Sequence, residues 1–477
     1  MRTPSTAMSL ACLALLVSCG GGGGSNNNAG TVAPAPTPTP TTGISACSLS
    51  ARQDFTLAAF NEWYLFPTLL NTSASKSDFT NLQEYIDALV APARAQSKDR
   101  FFSYVTSIAE ENAFSNSGAT AGFGVRLRYD TTNLRVFVIE TFEGTAALGA
   151  KMDRGTEILG IGTSSADIQS VDSLMAAGGP AAVSDALGSN TAGTTRVLSI
   201  RDQSGVVREA PLTKTEFALD PVSDRYGVKI IIDGVRKIGY LNLRTFIQPA
   251  DPDLRAAFED FRNEGVTELI IDFRYNGGGA INIAELMGSL MGRNLGGQVF
   301  EQSTWRPSKS NRNEIYRFTP VAQSIAPTKI AFIGTGSTAS ASELVINGMQ
   351  PWVNDIALVG SNTFGKPVGQ SAFDLTACDD RLRVVTIQIE NADGNGDYFN
   401  GLAATVPNTC RASDDITRQL GDPEEAMVST ALDYLAGRGC TAIASTRTTV
   451  QSAINSGVLM PALEGRSAAQ HEVPGLY

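Results

Sequence analysis

The stretch ELIIDFRYNGGGAINIAELMGSLM, residues 268–291, decides the fold class, because it runs from an apolar strand through three glycines into an apolar helix. The same order returns in KIAFIGTGSTASASELVINGM (329–349), and its strand-and-loop half returns in DIALVGSNTFGKP (355–367). Short, continuously apolar strands that alternate with helices are typical of a buried parallel sheet. We therefore predict a mixed α/β core with a mainly parallel sheet over residues 218–440.

The loops that follow these strands carry the candidate reactive groups. The turn Gly277–Gly279 follows the first strand, Ser340 follows the second and Lys366 follows the third. Parallel strands joined by right-handed crossovers bring their carboxyl ends to one edge of the sheet. We therefore expect the three loops to form one site, although they are far apart in sequence.

A single histidine, His471, limits the chemistry of such a site. A Ser–His–Asp triad would depend on that one residue, and zinc sites with several histidines are excluded. A hydrolase built on Ser340 needs another base, and Lys366 in the apolar TFGKP (363–367) is the best candidate, because burial lowers the pKa of a lysine. The glycine turn and the N–H of Ala341 are candidate donors to an oxyanion.

Three segments together resemble the motifs of the C-terminal processing, or tail-specific, serine peptidases. They are DFRYNGGG (272–279), STASASE (337–343) and TFGK followed by Gln370 (363–370). The resemblance covers roughly residues 50–440 and implies a crotonase-like or ClpP-like peptidase core with an inserted PDZ domain. Pro367 stands where the family usually has another glycine.

The same resemblance implies a role for each site residue. Ser340 would be the nucleophile, Lys366 the general base and Gln370 the residue that orients the lysine. The implied oxyanion donors are Gly278 or Gly279 together with Ala341. The implied supporting polar groups are Glu343 and Thr363. Ser337 and Ser342 are alternative nucleophiles, but their positions suit a turn and the packing of a first helical turn.

A PDZ-like domain is predicted over residues 118–217. The segments GFGV (122–125) and GTEILGIGT (155–163) resemble PDZ sequences. That resemblance implies a loop whose N–H groups bind a C-terminal carboxylate, beside a strand edge that accepts the peptide as an extra strand. The implied peptide-binding residues are Gly122, Phe123, Gly124 and Val125.

The regions that flank these domains are predicted from their patterns. Residues 45–117 place apolar side chains at helical spacing and predict a small helical module. A helix is expected within it around Phe79–Val90. Residues 441–477 are expected to be a loosely packed extension.

The first 44 residues predict an anchored envelope protein. Residues 1–18 form a lipoprotein signal peptide that ends in LVSC (16–19), which resembles a bacterial lipobox and implies lipidation of Cys19. Residues 19–44, rich in Gly, Asn, Pro and Thr, form a predicted flexible linker. Gly20 in place of aspartate favours the outer membrane, so we expect the chain to face the periplasm.

Four cysteines remain once the signal peptide and Cys19 are set aside, and an even number in an exported protein predicts two disulfide bonds. Three pairings are possible. We expect Cys378 to pair with Cys410, because the two flank one strand-and-loop segment. Cys47 would then pair with Cys440 and tie the first helix to the last.

The composition narrows the possible partners. The chain has 37 basic and 48 acidic residues and no basic cluster, so nucleic acid is not expected as a partner. No metal or other cofactor is expected. The expected partners are protein or peptide substrates with exposed C-terminal tails, the membrane through the lipid anchor, and a regulatory adaptor whose identity the sequence leaves open.

The sequence is compatible with two functions. The first is a lipid-anchored envelope endopeptidase that cleaves proteins captured by their C-terminal tails. The second is a non-catalytic, tail-binding scaffold lipoprotein on the same fold. The complete set of Ser340, Lys366 and Gln370 favours the first.

Overall fold

The computed structural model describes residues 46–444 and 456–477. The predicted signal peptide, the linker and Cys19 lie outside these residues. No helix within the described ranges is long and apolar enough to span a membrane. Short 3-10 helices in the described chain are Pro67–Leu69, Lys76–Asp78, Pro307–Arg312, Thr376–Cys378, Leu402–Ala404 and Leu463–Gly465.

The first described region is mostly helical. Its elements are α1 (Leu49–Trp63), α2 (Leu82–Leu89), α3 (Ala91–Ala95), β1 (Tyr104–Ser107) and α4 (Ile108–Ser117). The side-chain oxygens of Ser48 and Asn81 cap α1 and α2 by accepting backbone N–H groups. Strand β1 departs from the helical expectation, because it pairs with residues 380–383 and alternates buried with partly buried positions.

The next region is built from antiparallel strands. Its elements are β2 (Ala119–Gly122), β3 (Val125–Asp130), β4 (Arg135–Thr141), α5 (Ala146–Gly149), β5 (Glu157–Gly162), β6 (Gln169–Ser170), α6 (Val171–Leu187), β7 (Thr195–Arg201), β8 (Val207–Thr213) and β9 (Thr215–Ala218). The sheet runs in the order β3–β4–β5–β7–β8, with β6 on β5, and β2 pairs separately with β9. Helix α6, which is interrupted at Gly178 and Gly179, buries Val183 and Leu187 in the same apolar cluster as this sheet.

The largest region contains the predicted parallel sheet. Its elements are β10 (Val228–Asp233), β11 (Arg236–Asn242), α7 (Ala250–Asn263), β12 (Glu268–Asp272), α8 (Ile281–Met291), β13 (Val299–Trp305), β14 (Glu314–Arg317), β15 (Lys329–Gly334), α9 (Ala341–Met349), β16 (Asp355–Gly360), β17 (Val368–Leu375), β18 (Asp380–Glu390), β19 (Asn408–Arg411) and α10 (Ala426–Leu435). The order is β10–β11–β12–β15–β16–β19, and every pair from β11 onward is parallel. The mixed α/β fold class is confirmed.

The parallel sheet is covered on both faces, which explains its continuous apolar strands. Phe258 of α7, Met287 of α8 and Leu344 of α9 belong to one core cluster, and Val428 of α10 belongs to another. A second sheet, formed by β1, β18, β13 and β14 with β17 on β18, is antiparallel throughout. The parallel sheet positions the loops after β12, β15 and β16 side by side.

The last described residues are packed, contrary to the expectation for 441–477. They form β20 (Ser456–Val458) and α11 (Ala468–Glu472), and β20 pairs with β3. Leu459, Val473 and Leu476 are fully buried. The expectation of a loosely packed extension is therefore wrong for residues 456–477, because their apolar side chains complete the cores of other regions.

The four cysteines form two disulfide bonds, but the expected pairing is wrong. Cys47 bonds to Cys378 with 5.4 Å between their Cα atoms, and Cys410 bonds to Cys440 with 5.3 Å. Helix α1 follows Cys47 and packs on β17 and β18, whose connection contains Cys378. Helix α10 packs on β19, which contains Cys410, and so brings Cys440 to it.

Candidate active site

Ser340 lies between β15 and α9 on a backbone conformation that few residues other than glycine adopt. Its φ is 56° and its ψ is −117°. The Thr338 hydroxyl donates to the Phe273 carbonyl at 2.7 Å, and the Ala339 N–H donates to the Asn276 carbonyl at 3.1 Å. These bonds anchor the loop to the end of β12 and hold Ser340 in a strained turn, a feature that is common at reactive sites.

The two alternative nucleophiles have structural positions. Ser342 is fully buried, and its hydroxyl donates to the Asn276 carbonyl at 3.1 Å. Ser337 lies in the preceding turn, where its backbone N–H donates to Thr335 Oγ1 at 3.2 Å. Ser340 keeps part of its surface exposed at the start of the helix.

The glycine turn lies directly against Ser340. Gly278 and Gly279 have φ values of 117° and 132°. A Cβ added at Gly278 would lie 2.7 Å from Ser340 Cβ and 3.1 Å from the Ala341 nitrogen. Asn276 Oδ1 accepts the Gly278 N–H at 2.9 Å and holds the turn in place. Only glycine allows this close approach of the two loops.

Within the part of the chain that the structure describes, the backbone N–H groups of Gly279 in this loop and of Ala341 at the helix start have no acceptor. The N–H of Gly278, in contrast, already donates to the side chain of Asn276. An N–H without a protein acceptor at a helix start is available to a developing oxyanion. Of the predicted donors, Gly279 and Ala341 therefore fit best, and Gly278 provides the space beside Ser340.

Lys366 follows β16, and its ammonium group is held by Gln370 on β17. Lys366 Nζ donates to Gln370 Oε1 at 3.2 Å, and Gln370 Nε2 donates to the Phe102 carbonyl. Nζ also lies 5.4 Å from the centroid of the Phe102 ring. Phe102 thus fixes the orientation of Gln370 and covers the lysine, a role that no local sequence signal indicates.

Burial lowers the pKa of Lys366 below the usual range of a lysine, because the ammonium group loses hydration. The carboxylates of Glu472 and Asp99 oppose this change in pKa, since they favour the charged form. The lower pKa is what a general base near neutral pH requires.

Glu343, which is fully buried, connects the serine with the lysine. Its Oε2 accepts the N–H groups of Ser340 at 3.1 Å and Lys366 at 2.8 Å. Its Oε1 accepts the N–H of Gly365 at 2.7 Å. Burial raises the pKa of Glu343, while these bonds and one from the Thr363 hydroxyl oppose the rise. One carboxylate therefore fixes the backbone of both candidate catalytic residues.

Residues far from the motifs support the lysine loop. Arg100 donates to the carbonyls of Phe364 at 2.5 Å and Gly365 at 2.8 Å. The Leu402 N–H donates to Thr363 Oγ1 at 2.8 Å. These contacts join segments that lie far apart in the sequence, so no local sequence pattern indicates them.

His471 is packed as a neutral ring. It stacks on Tyr104 with ring centroids 3.8 Å apart and planes at 3°. Burial, together with the positive charges of Arg466 and Lys366, lowers the pKa of His471 to about 3. The ring is therefore uncharged at neutral pH.

The predicted peptide-binding residues lie where β2 ends and β3 begins. Gly124 and Val125 donate their N–H groups to the backbone oxygen of Tyr477 at 2.9 Å and 3.1 Å. Phe123 is fully buried beneath them. A Cβ added at Gly122 would lie 2.7 Å from the Tyr477 carbonyl carbon, so glycine leaves room for this contact.

Part of the core is similar to known proteins. Residues 237–406 match the family model described as peptidase family S41. The carboxyl-terminal-processing protease of Picosynechococcus sp. is 24% identical over 266 residues, which are 55% of this chain and 58% of that protein. Chloroplastic carboxyl-terminal-processing peptidase 2 of Arabidopsis thaliana is 28% identical over 272 residues, which are 54% of this chain and 48% of that protein. The chain thus spans about half the length of the curated relatives it matches.

A solved structure supports the fold. The crystal structure assigned to an S41 protease of Bacteroides fragilis has a TM-score of 0.62 at 21% identity and covers 85% of this chain and 100% of that chain. The family resemblance that the three motifs predict is confirmed.

Proposed function

Because residues 237–406 match the model of peptidase family S41, we propose that this chain is a serine endopeptidase that uses Ser340 and Lys366 to cleave proteins recognised by their C-terminal tails. The observation that carries the proposal is the shared carboxylate of Glu343, which accepts the N–H groups of both residues. An ordinary surface lysine would not be held in this way beside a strained serine. The similarity to carboxyl-terminal-processing proteases supports the substrate class.

The reaction begins when Ser340 Oγ bonds to the carbonyl carbon of the substrate and passes its proton to neutral Lys366 Nζ. The carbonyl oxygen becomes an oxyanion, to which the N–H groups of Gly279 and Ala341 donate. The C–N bond then breaks, and the Lys366 ammonium returns the proton to the leaving amine. Water attacks the acyl ester with Lys366 again as base, which releases the new carboxyl end and restores the serine hydroxyl.

The test is cleavage of an unstructured protein with an apolar C-terminus by the chain lacking residues 1–43. We expect Ser340→Ala and Lys366→Ala to abolish cleavage with little loss of stability. Lys366→Arg should not restore it, because a guanidinium does not act as a base. Ser337→Ala, in the same loop, is the matched control and should remain active.

Full activity in Lys366→Ala would refute the Ser–Lys mechanism. If the wild-type chain binds the protein without cleaving it, the alternative of a tail-binding scaffold would replace the peptidase. His471→Ala should retain activity, since the neutral, stacked ring has no part in the proposed proton transfers.

We propose further that the chain is a lipoprotein anchored through Cys19 to the outer membrane and facing the periplasm. Two disulfide bonds support an oxidising compartment. Incorporation of radiolabelled palmitate into the wild-type chain, and its absence from Cys19→Ala, is the expected result. Release of wild-type protein without detergent would contradict the anchor.

A further inference from the structure

Residues 475–477 of the same chain occupy the outer edge of β3 at Val125–Leu127, next to the part that pairs with β20. The Tyr477 N–H donates to the Val125 carbonyl at 2.9 Å, and the Leu127 N–H donates to the Gly475 carbonyl at 2.8 Å. With the two N–H donors to the Tyr477 oxygen, these bonds form a short antiparallel ladder in which Leu476 lies opposite Arg126. Residues 475–477 therefore lie in the groove as an added strand, which is how a peptide binds to a sheet edge.

The side chains of Tyr477 and Leu476 in this added strand are buried in two apolar clusters. The Tyr477 ring is 1% exposed and packs in the apolar cluster that contains Phe123 and Leu187. Its hydroxyl donates to Ser184 Oγ at 2.7 Å. Leu476 is fully buried in a second cluster. The groove is therefore specific in shape and polarity for an apolar residue followed by tyrosine.

A buried arginine connects this groove with the glycine loop. Arg126, which is fully buried on β3, donates from Nη1 to the Pro474 carbonyl at 2.7 Å and to the Tyr275 carbonyl at 2.8 Å. Tyr275 directly precedes Asn276, whose side chain holds the turn beside Ser340. The occupied groove and the peptidase loop thus share one guanidinium group.

The residues just before the added strand lie against the candidate active site. A Cβ added at Gly277 would be 2.7 Å from the Glu472 carbonyl oxygen and 3.0 Å from the Pro474 ring. The Glu472 carboxylate is close enough to Lys366 to favour its charged form. Segment 471–477 therefore passes from the lysine across the glycine turn into the groove.

We infer that segment 471–477 is an internal ligand of the groove, and that peptide chain ends with an apolar residue followed by a terminal tyrosine compete with it for the same pocket. Their binding displaces the segment from Gly277 and Lys366 and opens that side of the site to the rest of the substrate. The consequence for cleavage rests on the proposed function, whereas the competition for the groove does not.

The test uses Ser340→Ala chain, so that binding is measured without cleavage. The probe is the peptide HEVPGLY with a free carboxylate and a fluorescent label on its amine. We expect Tyr477→Ala in the same background to bind the probe about 10-fold more tightly, because the internal competitor is weakened. A probe that ends in alanine should bind about 100-fold more weakly, since it loses the buried ring.

Equal affinity of both chains for HEVPGLY would overturn the inference, as would equal affinity of the two probes. If Tyr477→Ala fails to fold, Tyr477→Phe serves instead. It keeps the ring, loses the bond to Ser184, and should bind the probe about 3-fold more tightly. An unchanged affinity in Tyr477→Phe then counts against the inference.

The same variant in the chain with Ser340 separates this inference from the proposed function. We expect Tyr477→Ala to raise kcat/KM for a substrate ending in Leu-Tyr by about 10-fold, matching its gain in affinity. If no chain cleaves, the peptidase proposal fails while the binding result stands. If cleavage occurs but Tyr477→Ala shows no gain in either readout, only the internal ligand is refuted.

Discussion

Replacing Glu343 by glutamine tests whether one buried carboxylate fixes the backbones of Ser340 and Lys366 relative to each other. Glutamine keeps one oxygen and places an NH2 group where the other stood. If the NH2 faces Gly365, one buried N–H loses its acceptor, and if it faces Ser340 and Lys366, two do. Each unsatisfied donor costs about 1–3 kcal/mol. Relief from burying a charge offsets part of this cost, so we expect a net loss of about 1–3 kcal/mol in the free energy of unfolding.

The effect on the reaction should exceed the effect on stability. Both catalytic backbones shift when their common acceptor changes, and a misplacement of about 1 Å costs about 100-fold in rate. The assay combines denaturant unfolding with kcat on the unstructured substrate. Glu157→Gln is the matched control, because Glu157 is a buried carboxylate paired with Arg135 and Arg201 in another region. It should lose stability and keep its kcat.

A Glu343→Gln chain whose kcat stays within about 3-fold of the wild type would refute this reasoning, since the backbone bonds would then be dispensable. Equal losses of kcat in both variants would refute it as well. The activity would then depend on the global stability of the chain and not on the relative position of Ser340 and Lys366.

Three further predictions concern the same site. Gln370→Glu places a negative charge beside Lys366 Nζ, so the pKa of the lysine should rise. The kcat at neutral pH should then fall about 10-fold for each unit by which the pKa rises, and it should recover at higher pH. A pH–rate profile whose rising limb does not move would contradict this prediction. Glu472→Gln removes a charge that favours the ammonium form, so an NMR titration of the resting Ser340→Ala chain should show a lower pKa for Lys366. An equal or higher pKa would refute the influence of Glu472 on the lysine. Gly278→Ala forces a Cβ against Ser340 at a φ of 117°, and kcat should fall about 100-fold while the chain stays folded; wild-type kcat would show that the loops need no such approach.

The strands and loops of the parallel sheet could be predicted closely from the sequence. The strands Lys329–Gly334 and Asp355–Gly360 begin, and the helix Ala341–Met349 ends, at the bounds of the segments 329–349 and 355–367 that predict them. Each apolar run ends at a glycine or a polar turn. Their common edge follows from the handedness of parallel crossovers. The nearness of Ser340 to the lysine loop is therefore a consequence of local pattern and topology.

Other parts of the site have no local pattern. Strand β18 mixes buried and partly buried residues irregularly and pairs with strands far away in sequence, so neither its sheet nor the Cys47–Cys378 bond could be derived. Phe102 reaches Gln370 only because β1 joins that sheet. The end of the chain resembled a loose tail because its apolar residues have no period, yet Leu476 and Tyr477 fill the cores of other regions.

The Cys47–Cys378 bond determines the electrophoretic pattern that autolytic cleavage of the chain would give. A break anywhere between these two residues leaves both fragments joined, so the nicked chain migrates as one species until a reductant is added. A break within residues 379–409 separates the halves at once, because neither disulfide spans it. A break after Cys440 releases the groove-filling end directly. Electrophoresis with and without reductant therefore maps the position of autolysis before any sequencing.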